Sequence, residues 1–155
     1  MDNFITVARR RLHHFRLARS GAAALEFALV VPLLSAMLFG IIKFGIAYNH
    51  RLALTDATRA GVRELAVGRQ SPTVFTDTVN TFRGSALALS AGSTTLQMFV
   101  NGAQCTSDSS CEAALVASEG VPARLVASYP CDVEVFGVDF APGCTLSADS
   151  TQRVE

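Results

Sequence analysis

Four cysteines, Cys105, Cys111, Cys131 and Cys144, are the residues of this 155-residue chain best suited to covalent chemistry. Their spacings, C-x5-C and C-x12-C, do not match the C-x2-C pairs of a structural zinc site. An even set confined to the C-terminal half reads instead as two disulfides, which need an oxidising compartment. Of the possible connectivities, the neighbour pairing of Cys105 with Cys111 and Cys131 with Cys144 is the most economical. Asp132, Glu134 and Asp139 could suggest calcium, but they alternate as strand residues do and lack an Asp-rich loop, so they read as an exposed strand. His13 and His14 lie in an arginine-rich stretch without nearby cysteines or carboxylates, and His50 stands alone. The chain has no G-x-S-x-G, no H-E-x-x-H and no phosphate loop. The expectation is therefore a protein that is not an enzyme and that uses no metal and no cofactor.

Glu26 is harder to place. It stands immediately before Phe27 to Ile42, a run of 16 residues without a charge. A carboxylate costs roughly 2 to 3 kcal/mol at the centre of a bilayer, so Glu26 either lies in the headgroup zone or has a partner there.

These residues depend on the elements that carry them. With Ala22 to Leu25 before it and Phe44 to Tyr48 after it, the apolar run is interrupted only by Glu26 and Lys43. About 20 mainly apolar residues cross a hydrocarbon core, so one membrane helix is expected. Lys43 can snorkel to the interface, Tyr48 suits the interfacial zone, and membrane helices tolerate a proline such as Pro32. Gly45 and Ala47 offer a small-x-small pair of the kind that a secretory signal peptidase uses. The long leader and the helical pattern running through that point argue against such a signal.

The formal net charge of zero hides a partition. Residues 1 to 20 carry Arg9, Arg10, Arg11, Arg16 and Arg19 against Asp2, a net of +4; residues 64 to 155 carry −6. Basic residues stay inside, so the N-terminus is expected in the cytoplasm and the cysteines outside. Positive charge on a leader rather than on a folded module does not make a nucleic-acid binder.

The run Gly21-Ala22-Ala23-Ala24-Leu25-Glu26-Phe27, after a basic leader and at the head of an apolar helix, resembles the processing site of type IV prepilins, closest to the tight-adherence (Tad/Flp) branch. The resemblance implies a cut between Gly21 and Ala22 by a prepilin peptidase, with Glu26 as the family's acidic residue and Phe27 as its aromatic. It also implies that the new amine on Ala22 pairs with Glu26 of a neighbouring subunit. Pro32, Phe39-Gly40, Phe44-Gly45, Leu54-Thr55-Asp56-Ala57 and Arg59-Ala60-Gly61-Val62-Arg63 narrow the likeness to TadE-like pseudopilins, and the closing segment Leu146 to Glu155 is similar to theirs. The partners implied are the peptidase, other Tad pilus subunits and pseudopilins, the inner-membrane assembly platform and the lipid bilayer. The implied role is that of a minor pseudopilin in pili used for adherence and biofilm formation, located in the bacterial inner membrane with its C-terminal domain in the periplasm. The alternative is an unprocessed bitopic anchor carrying a periplasmic binding domain.

Past the membrane, Ala47, His50, Leu54, Ala57, Thr58, Gly61, Leu65 and Gly68 share one helical face, opposite Asp56, Arg59 and Arg63. The helix is expected to continue to about Arg69, forming a rod of about 70 Å from Ala22 at about 1.5 Å per residue. Its small-residue face suits close packing against another helix or the chain's own domain. Asp56 and Arg59 make an exposed pair of small worth. Ser71-Pro72 breaks the rod. Phe75, Val79, Phe82 and Ala86 then mark a helix over 72–89. Thr94 to Val100 reads as a strand ended by an Asn101-Gly102 turn, and 111–118 as a short helix. Arg124 to Tyr129 and Asp132 to Phe140 read as strands parted by Pro130. The expected fold is α+β and pilin-like: a cytoplasmic leader over 1–21, a transmembrane and rod helix over 22–69, and a small disulfide-containing periplasmic domain over 70–155. A short antiparallel sheet of about three strands would pack on the rod.

Overall fold

The computed structural model describes the backbone of residues 3–117, 119–131, 133–135 and 137–155, and the side chains of these from residue 21 onward. The leader arginines, His13, His14 and Asp132 therefore lie outside the described side chains. A long apolar N-terminal helix is followed by a small domain with a short antiparallel sheet, a mixed α+β fold. Two compact units result, residues 1–42 and 43–155.

Helix α1 (Asn3–Val67) contains Pro32 without ending there. In the first unit its side chains from Leu25 to Ile42 are largely exposed; Phe27, Leu29, Leu33 and Ile41 are each about two-thirds or more open. None of its most apolar stretch is buried.

The second unit begins with the last turns of α1. Leu54, Ala57, Thr58, Val62, Leu65 and Ala66 are buried there, while Asp56, Arg59 and Arg63 are exposed, as helical periodicity demands. The rod's inner face is thus the base of the domain core. Thr58, the polar member of that face, satisfies its hydroxyl by donating to the Leu54 carbonyl at 2.6 Å. Helix α2 (Val74–Ser85) adds Val74, Thr78 and Phe82 to the core. It is shorter at both ends than the 72–89 expected from spacing. Val67 ends α1 two residues before the expected Arg69.

Strand β1 (Thr95–Val100) turns through Asn101-Gly102 into β2 (Ala103–Cys105), with Val100 opposite Ala103. Both turn residues have positive φ, 51° and 81°, the conformation for which Asn-Gly is suited in a two-residue hairpin. Helix α3 (Asp108–Val116) starts earlier than the expected Cys111. Ser107 and Ser110 form a reciprocal cap, which sets the helix N-terminus there.

Strand β3 (Pro122–Pro130) is central. It buries Ala123, Leu125 and Ala127 on one face, where they meet the helices. The segment expected as a third strand, Asp132 to Phe140, departs from that reading. It forms only β4 (Glu134–Val135) and β5 (Val138–Asp139), a separate two-stranded sheet. Gly137, at φ 77°, turns the chain back before a long strand can form. The fourth strand of the main sheet is instead β6 (Thr145–Arg153), which pairs with β3 along nine residues to give the order β2-β1-β3-β6. Edge position and one solvated face explain why β6 has little apolar alternation: only Ala148 in it is buried. Val154 then tucks into the core, and its carbonyl accepts from the Gly120 amide.

Candidate processing and assembly site

Gly21 and Ala22 lie within continuous helical backbone of α1. A Cβ built on Gly21 meets no atom within 4 Å, so nothing in the chain itself requires glycine there. Ala22 and Glu26 are one helical turn apart, about 6 Å along the axis, and share a face. Glu26 and Phe27 are exposed, at the head of the apolar stretch. The stretch they open is long and apolar enough to cross a membrane.

Further along α1, Gly61 lies against β3 and α2. A Cβ on it would come within 2.7 Å of Leu125 Cδ2 and 3.5 Å of Phe82 Cβ. Gly68 is similarly confined by Val74. His50 meets Tyr129 of β3 edge-on, with ring centroids 5.3 Å apart. The Asp56–Arg59 pair is long, 3.7 Å, and both side chains are at least 70% exposed, consistent with a solvated contact.

Cys105 pairs with Cys111 and Cys131 with Cys144. The first pair is buried and fastens the end of β2 to α3. The second joins the end of β3 to the start of β6 and closes off the β4–β5 hairpin; the Cys131 amide also donates to the Cys144 carbonyl at 3.1 Å. Asp139 accepts from the Ala141 amide at 2.9 Å and so caps a loop.

One polar tie had no clear sequence signal. Asp108, in the first turn of α3, accepts from the Thr76 amide at 2.9 Å and the Thr76 hydroxyl at 2.7 Å, linking α3 to α2. Those two donors, the amide foremost, hold the Asp108 carboxyl below its ordinary value. Its 32-residue separation from Thr76 hides the contact from any local pattern.

No curated protein and no solved structure matches the chain. Residues 21–63, from the glycine at the head of the apolar stretch to the end of the Arg-Ala-Gly-Val-Arg run, match the family model of TadE-like protein, so over that segment the chain is similar to TadE-like proteins.

Proposed function

We propose that the chain is a minor pseudopilin, processed by a prepilin peptidase, that takes part in assembling Tad/Flp-type pili used in adherence and biofilm formation. The TadE-like match supports involvement in Tad pilus assembly. The observation that carries the reading is the coincidence of three features at one place: the match begins at Gly21, the apolar stretch of the sequence follows it directly, and Glu26 is exposed one turn after Ala22.

In this reading residues 1–21 are a cytoplasmic leader, 22–69 the anchor and rod, and 70–155 a periplasmic domain. The partners are the peptidase, other Tad subunits and pseudopilins, and the inner-membrane assembly platform. Cleavage between Gly21 and Ala22 removes five arginines and leaves side chains summing to −4. It also creates an α-amine that is largely protonated at neutral pH. In the bilayer that amine and the Glu26 carboxylate of a neighbouring subunit neutralise each other, an arrangement that selects register more than it adds stability. Helical backbone must open for a peptidase to reach it, and glycine is about 1 kcal/mol less favourable than alanine inside a helix.

Co-expression with the cognate prepilin peptidase, followed by N-terminal sequencing, tests the reading. Ala22 should become the first residue, and Gly21→Ala should block the cut without disturbing the fold, since its Cβ enters open space. An intact Met1 start beside an active peptidase would favour an unprocessed bitopic anchor instead.

A further inference from the structure

Helix α2 does not close fully on the sheet. Between its Phe75–Val79–Phe82–Ala86 stripe and the segment carrying Leu89 and Leu96 lies a cavity of about 300 Å³. Phe82 and Leu89 form its buried end, and Phe75, Val79 and Leu96 are half-buried around it. The small side chains of Ala86 and Ala91 leave the space unfilled.

Two polar side chains line it. Thr94 spends its hydroxyl proton on the Ser90 carbonyl at 3.2 Å, so it has no donor left for a ligand. The Arg83 side chain is exposed and makes no ion pair or hydrogen bond among the described residues. An apolar cavity with a single uncommitted guanidinium at its lining is complementary to an apolar body ending in one negative charge.

We propose that this cavity binds a medium-chain acyl carboxylate, with the chain against Phe75, Val79, Phe82 and Leu96 and the carboxylate on Arg83. An apolar cavity of about 150 Å³ takes a benzene ring, so this one admits on the order of ten carbon atoms. A neutral ligand of the same length gains the apolar burial but leaves Arg83 to water. The charged head is therefore what separates binders from non-binders.

The test uses the full-length chain in phosphatidylcholine nanodiscs, photolabelled with decanoic acid carrying a diazirine on its tail, with adducts located by mass spectrometry. Adducts are expected on α2 and β1, and unlabelled decanoate should displace the probe about tenfold better than decanol. Arg83→Gln should weaken labelling there by about the same factor. Ala86→Leu, which fills the cavity, should abolish it while both disulfides persist. Adducts confined to residues 22–42 would mean simple partition into the bilayer and would overturn the proposal. So would equal competition by decanol, unchanged labelling of either variant, or stronger competition by a short peptide with an apolar C-terminal residue than by decanoate.

Discussion

Glu26 is the acidic side chain that stands directly before the uncharged run Phe27 to Ile42. It is exposed and set one turn from Ala22 at the start of a stretch apolar enough to cross a membrane. If its role is to receive a neighbour's amine, then Glu26→Ala should still be cut after Gly21 but should abolish piliation. Normal pili on cells carrying that variant would remove the pairing role, and electron microscopy of the cells reads the result directly. The position of Glu26 was legible because a carboxylate at the head of an apolar run is chemically out of place. Arg83 was not, because a lone exposed arginine on a short helix resembles any solvated charge until the cavity beside it is seen.

At the scale of elements, α1 owes its fit to small residues. Leu125 is fully buried and has no solvent to swing into, so the Cβ of Gly61→Ala must be absorbed by the core. Overpacking costs about 1 to 3 kcal/mol, more than the ~1 kcal/mol that alanine gains in helix propensity. Gly84 in α2 offers the opposite case, since a Cβ there meets nothing within 4 Å. Denaturant titration should show Gly61→Ala less stable than the parent and Gly84→Ala more stable, by about 0.5 to 1 kcal/mol for the latter. The α2–α3 contact carries a pH signature. Because Thr76 lowers the folded-state pKa of Asp108, its stabilisation is present above the ordinary value of 3.8 and is lost as pH falls through the lower folded value. The stability difference between the parent and Asp108→Asn, measured from neutral pH downward, should hold steady to about pH 4 and shrink below it. Periodicity revealed the inner face of α1 and the β1 turn, whereas the start of α3 was hidden because serines serve loops and caps alike.

For the whole molecule, the two disulfides divide the work of holding a small domain together. The Cys131–Cys144 loop has a sequence separation of 13 and the Cys105–Cys111 loop one of 6. In the chain-entropy model these contribute about 3 and about 2 kcal/mol. The double variant Cys131→Ser with Cys144→Ser should lose about 3 kcal/mol in denaturant titration, because it frees the β4–β5 excursion between two paired strands. A loss well under 1 kcal/mol would show that β3–β6 pairing alone holds that junction.

What the sequence determined by itself was whatever rests on short-range physics: the apolar helix, the direction of its inner face, the Asn-Gly hairpin, and the segment that matches TadE-like proteins. Each depends on residues within a few turns of one another. Tertiary structure alone decided the rest. A nine-residue polar strand joined the sheet because β3 offered it an edge, and a stretch with better strand alternation was diverted by one left-handed glycine. The cavity beside Arg83 likewise exists only because α2, the loop after it and β1 meet around small side chains. Such outcomes follow from which partners compete for a strand or a face, and that competition is settled between segments far apart in the chain.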